Sequence, residues 1–233
     1  MTLLWTSALA ASWTIADVDP DRGAEPAVVV VTPGVAPDAY DGWVAALHRR
    51  GMDVHLATLD PTVGPEEAIH GLHLALEERA AELGPLRVAA HGYGGLLTVL
   101  SGFEAHRLAL VATPLAPQLV PVGAVPGEAG LPWSDELVGT YTPAPLHPDL
   151  SAAYAAWAAE LPRYHVPTCP VFVASGNLDV MAPPEVVRLP SESWPDRTWE
   201  RLGFLALEPD LPHMDVLGQQ GVTARVARFL GGA

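Results

Sequence analysis

The sequence predicts an α/β fold: a single domain built on a doubly wound, mostly parallel sheet. Three observations carry this expectation. Apolar runs of strand length alternate with longer stretches of helical periodicity along most of the 233 residues. The run from Ala27 to Thr32 is continuous and mostly β-branched, as in a strand buried on both faces. Ala90-His91-Gly92-Tyr93-Gly94-Gly95 joins one apolar run, Leu86 to Ala90, to another, Leu96 to Leu100, through small residues. That pattern is a strand turning sharply into a helix.

The elements follow in order. Met1 to Ala16 is apolar but lacks the basic residues that open a signal peptide, so it reads as an opening strand or hairpin. After the strand at Ala27 to Thr32, Asp38 to Arg50 reads as a helix. Trp43 and Leu47 lie four apart on it, and Gly51 stops it. Val54 to Leu59 is a strand. Pro65 to Leu83 is a helix with proline and acids in its first turn and Gly84 behind it. The strand and helix around Gly92 come next, then a strand at Arg107 to Ala112. Here the alternation breaks. Pro114, Pro117, Pro121 and Pro126 punctuate a stretch without periodicity, and Asp149 to Glu160 is a short helix rich in Ala, Tyr and Trp. Residues 114–166 read as a proline-rich cap inserted over a site. Alternation resumes with a strand at Cys169 to Ser175, a helix around Pro184 to Val187, a strand at Trp199 to Leu207 and a last helix at about Asp215 to Leu230.

Composition narrows the function. The net charge is −15, which argues against a nucleic-acid phosphate backbone as partner. All 12 basic residues are Arg, so neither lysine Schiff-base chemistry nor a Walker-type phosphate loop is available. No run reaches the length of a membrane span. A cytoplasmic protein with no membrane partner is expected. The lone Cys169 cannot form an intramolecular disulfide and reads as a packed thiol. His70 and His73 lie three apart on a predicted helix, but no third ligand accompanies them at metal spacing, so no metal site is expected.

The order of motifs resembles the α/β-hydrolase superfamily over nearly the whole chain. Val28-Val29-Val30-Val31-Thr32-Pro33-Gly34 is similar to that family's strand and oxyanion loop, with Pro33 where a His is usual. Ala90 to Gly95 is similar to its nucleophile elbow, with Gly92 where the serine stands. Gly176-Asn177-Leu178-Asp179 resembles the turn that delivers the triad acid, and Pro212-His213-Met214-Asp215 the loop that delivers the triad His. The resemblance implies descent from carboxylic-ester or thioester hydrolases or related acyltransferases, with no cofactor.

At the elbow a nucleophile sits at positive φ, which glycine adopts without steric penalty. Ser→Gly therefore leaves the turn intact and removes the attacking oxygen. The resemblance implies that Asp179 and His213 remain as a dyad in which Asp179 holds the tautomer of His213. It also implies that the Tyr93 N–H and a loop N–H at Gly34 or Val35 remain as oxyanion donors. His91 is expected to pack under the elbow, and Asp215 to cap the last helix. Ser101 lies too far along the helix to replace the serine. Ser175, at the end of the strand presenting Asp179, is the first suspect for a missed nucleophile. His147, Trp133, Tyr141, Tyr154 and Trp157, all in the insertion, are candidates to line an apolar pocket. Three readings stay open. The chain is a non-catalytic relative that binds a small apolar or acyl ligand or a protein partner; or an enzyme in which Asp179 and His213 activate water or move a proton; or a serine esterase carrying an engineered Ser→Gly.

Overall fold

The computed structural model describes residues 5–6, 11–15, 25–115, 166–179, 182–203, 211 and 213–232. Among these residues, eight strands form one sheet: β1 (Trp5–Thr6), β2 (Ala11–Ile15), β3 (Glu25–Val30), β4 (Met52–Leu59), β5 (Arg87–His91), β6 (Arg107–Val111), β7 (Val171–Gly176) and β8 (Arg197–Leu202). Their order is β1-β2-β4-β3-β5-β6-β7-β8. The six from β4 to β8 run parallel. The opening segment, read as a strand or hairpin, supplies two strands, with β1 antiparallel to β2 and β2 antiparallel to β4. The proline-rich cap falls almost entirely outside the described residues.

The parallel strands are apolar because both faces are covered. Ala27, Val28, Val29 and Val30 are all buried, as are Ala89 and Ala90 of β5 and Val173 and Ala174 of β7. The helices are α1 (Asp41–Arg49), α2 (Pro65–Leu83), α3 (Gly92–Ser101), α4 (Pro184–Ser191), α5 (Asp215–Gly218) and α6 (Gln220–Leu230). A 3₁₀ turn, Pro37–Tyr40, precedes α1, so the expected helix from Asp38 starts in the tighter form. Helix α1 packs with α6 and α2 with α3, flanking the sheet. None of the described helices is long and apolar enough to cross a membrane.

Sequence signals act locally as physics requires. Pro65 opens α2, where its missing N–H costs nothing, and Glu66 and Glu67 face the positive end of the helix dipole. The last predicted helix is two helices. Gln219, in extended conformation, interrupts it, and its side chain accepts from the Gly221 N–H to cap α6. Asp215 therefore does not cap the long helix; it sits in the first turn of the short α5. Arg87 ties the far end of the sheet together, bonding the Leu230 carbonyl at 2.8 Å and pairing with Glu25. Cys169 is half-buried, and burial, then the nearby Glu104, pushes its thiol up to about 11.

Gly176, the last residue of β7, is pressed against the Leu211 carbonyl, with no room for a methyl group. Gly176→Ala is expected to cost about 1–3 kcal/mol through overpacking against backbone. Gly218→Ala, where an added Cβ would meet nothing within 4 Å, should stay within about 0.5 kcal/mol of the parent. Urea unfolding of the two variants checks this; equal stabilities would show that the contact with Leu211 yields freely.

Candidate active site

Loops at the carboxyl ends of the parallel strands converge beside the start of α3, where open α/β sheets place their ligands. Strand β3 delivers Thr32, β5 ends at His91 and runs straight into α3, and the turn after β7 carries Asp179. His213 lies just before α5. The elbow is tight: His91 is extended (φ −124°, ψ 147°) and Gly92 has φ +54°. A side chain at residue 92 would be strained there, whereas glycine takes this conformation freely.

His213 Nδ1 lies 3.0 Å from both carboxylate oxygens of Asp179. A carboxylate only accepts, so Nδ1 carries the proton and, in the neutral ring, Nε2 is the acceptor. Asp179 is held in turn: its Oδ1 accepts from the Ala182 N–H at 2.7 Å. The other edge of the His213 ring faces the elbow. A Cβ built on Gly92 would lie 3.1 Å from His213 Nε2 and 3.0 Å from Thr32 Oγ1. Asp179, His213 and Gly92 are all buried.

Beneath the elbow, His91 is fully enclosed and bonded through both ring nitrogens. Its Nε2 lies 3.0 Å from the His213 carbonyl, so Nε2 carries the proton. Its Nδ1 then accepts, with the Tyr40 hydroxyl at 3.3 Å as donor. The Tyr40 oxygen accepts from the Thr32 N–H at 3.0 Å, and the Thr32 hydroxyl donates to the His91 carbonyl at 2.5 Å. This network uses a neutral imidazole. Burial, with a lesser electrostatic contribution from the neighbouring His213 ring, holds His91 well below the usual histidine range.

Asn177 joins the two halves of the dyad. Its side chain donates to the Gly203 carbonyl at 3.1 Å and accepts from the Leu211 N–H at 2.9 Å, fastening the Asp179 turn to the segment leading to His213. Asn177, Thr32 and Tyr40 were not singled out in the sequence. Thr32 had one visible signal, its place at the carboxyl end of a buried parallel strand. Nothing in the sequence marked Tyr40.

The remaining candidates separate clearly. Tyr93 is buried in the first turn of α3, and Gly34 turns the β3 loop at φ +82°. The Val35 N–H, expected to be available as an oxyanion donor, instead closes a turn by donating to the Thr32 carbonyl at 3.0 Å. Ser175 is no spare nucleophile: it is buried, and its hydroxyl donates to the Ala182 carbonyl at 2.5 Å. Ser101 ends α3 and donates to the Thr98 carbonyl. His70 is exposed and His73 half-buried on α2. His147, Trp133, Tyr141, Tyr154 and Trp157 lie outside the described residues.

Solved structures share this architecture. Est1E from Butyrivibrio proteoclasticus superposes with a TM-score of 0.70 at 15% identity, covering 98% of this chain and 97% of that one. A soluble variant of monoglyceride lipase from Saccharomyces cerevisiae, in complex with a substrate analogue, gives 0.70 at 12% identity, covering 98% and 94%. An α/β hydrolase superfamily protein from Enterococcus faecalis gives 0.65 at 13% identity, covering 100% and 99%. No protein-family model matches the sequence, and neither does the sequence of any curated protein. The chain thus has the α/β-hydrolase fold.

The His91 network makes a prediction about pH. A histidine held below its unfolded value lets the unfolded chain bind more protons, so its contribution is full above the ordinary histidine value near 6.5 and is lost as pH falls beneath it. Stability to urea should therefore fall from pH 7.5 to pH 5, and His91→Gln, less stable at pH 7.5, should show a shallower fall. Parallel pH curves for parent and variant would show that His91 does not contribute to the acid loss.

Proposed function

We propose that the chain hydrolyses small carboxylic esters or thioesters without an acyl-enzyme, with His213 as the general base on water and Asp179 holding its tautomer. One observation carries this reading: His213 Nδ1 is bonded to Asp179 at 3.0 Å while Nε2 points at the elbow, 3.1 Å from where a side chain at residue 92 would begin. That arrangement puts a basic nitrogen where a reacting oxygen would sit. Gly92 offers no nucleophile of its own, so water is the attacking group. The substrate is a small apolar or acyl compound, and the chemistry needs no cofactor. Est1E, which shares the fold, has been crystallised with ferulic acid, so an aryl-acyl ester belongs in the substrate series.

The second reading is a protein that binds a small apolar or acyl ligand, or a protein partner, without turnover. It is favoured by the Val35 N–H, which is engaged with the Thr32 carbonyl rather than offered to an oxyanion. Turnover separates the two readings.

The parent should hydrolyse short p-nitrophenyl esters slowly, without a burst and without labelling by a fluorophosphonate. His213→Ala should lower the rate by about 10²–10⁴-fold, and Asp179→Asn should also slow it by spoiling the tautomer. An inactive parent, or a His213→Ala variant as fast as the parent, would sink the general-base reading and leave the binding protein.

Gly92→Ser supplies a separate expectation. It should make the elbow reactive to fluorophosphonate, speed ester hydrolysis and cost about 1–3 kcal/mol through backbone strain. Adding His213→Ala should cancel most of the gain. A serine variant no faster than the parent would mean that the site no longer supports acyl transfer.

A further inference from the structure

We infer that Thr32 is a catalytic residue of this site: its hydroxyl oxygen and His213 Nε2 together hold the attacking water. The inference rests on the general-base reading above and deepens it.

Two polar atoms from separate loops meet on one side of the elbow. Thr32 Oγ1 and His213 Nε2 lie 3.0 and 3.1 Å from the point where a Cβ of residue 92 would stand. Proton bookkeeping fixes what each can do. The Thr32 proton is committed to the His91 carbonyl at 2.5 Å, so toward the elbow Oγ1 can only accept. The His213 proton is on Nδ1, committed to Asp179, so Nε2 can only accept. A water between two acceptors spends both hydrogens on them, and its lone pairs are left for the substrate carbonyl. Thr32 is itself rigid: it is buried, and its N–H is bonded to Tyr40 at 3.0 Å.

The role of Gly92 then changes. A side chain at residue 92 would start between the two acceptors, whereas glycine leaves that space to a molecule bound from outside. In the reaction the water oxygen bonds to the carbonyl carbon, the carbonyl π pair moves to its oxygen, and one water proton passes to His213 Nε2. The tetrahedral intermediate then expels the alcohol or thiol, which takes the proton from Nε2. One water is consumed, one acid and one alcohol or thiol are released, and Thr32 and His213 end as they began.

The test compares Thr32→Val, which keeps the shape without the hydroxyl, with Thr32→Ala, Thr32→Ser and His213→Ala. Turnover of p-nitrophenyl acetate is read as separate kcat and KM values, with thermal melts and intact mass after fluorophosphonate treatment. Thr32→Val and Thr32→Ala should lose about 10- to 100-fold in kcat with little change in KM. Thr32→Ser should recover most of that loss, and the pH–rate profile should keep its shape. If Thr32→Val does not fold, the Ala and Ser variants decide the matter. Full activity in Thr32→Val or Thr32→Ala, alongside loss in His213→Ala, would overturn the role of Thr32 and leave the general base standing. A loss confined to KM, or a phosphonyl adduct on Thr32, would overturn it as well. Full activity in His213→Ala would remove the general-base reading and this inference together.

Discussion

The site depends on how closely the first turn of α3 approaches the end of β3. A Cβ on Gly94 would come within 3.1 Å of the Val30 carbonyl, 3.2 Å of the Thr32 nitrogen and 3.3 Å of the Thr32 Cα. Gly95 is pressed still more tightly, against the side chain of Thr113 just beyond β6. Only residues without side chains let the helix sink between two strands in this way. That depth brings Thr32 beside residue 92 and lets its hydroxyl reach the His91 carbonyl. It also buries the His91 ring, whose Nε2–H supports the backbone of His213. A helix seated higher would separate these groups.

The His213–Asp179 pair is therefore held from several directions, by the side chains of His91 and Asn177 and by the backbone of Ala182. The His213 carbonyl is fastened by His91, its ring by Asp179, and the preceding segment by Asn177 through Leu211. The Asp179 carboxylate is fastened by the Ala182 N–H. Such a surround limits how far the ring can swing. The His213 ring is thus fixed with Nδ1 on Asp179 and Nε2 toward Gly92.

Much of this was legible in the sequence, for reasons that differ by element. Strand β3 announced itself because burial on both faces permits an unbroken β-branched run. Helix α2 was readable to its ends because Pro65 and Gly84 act through local backbone chemistry. The break at Gln219 was not, because the apolar periodicity continues through both α5 and α6 and masks a single extended residue. Motif order points to Gly92, Asp179 and His213, which the fold brings together. Thr32, Tyr40 and Asn177 escaped because their partners are distant in the chain, and no local pattern encodes a contact made by tertiary approach. The engagement of the Val35 N–H was hidden for the same reason: residue type does not say which carbonyl closes a turn.

The outer strand of the parallel sheet has a consequence for life in a crowded solution. Among the described residues β8 pairs only with β7, leaving one edge to face away from the sheet. Its sequence, RTWERL, is charged at Arg197, Glu200 and Arg201, unlike the apolar strands inside. Glu200 is engaged by Arg225 of α6, and Arg197 reaches Ser191 at the end of α4. A foreign strand adding to this edge would have to strip water from these charges and disturb their partners. Where such an edge meets water, charges of this kind disfavour edge-to-edge pairing, and β8 carries them where the inner strands do not.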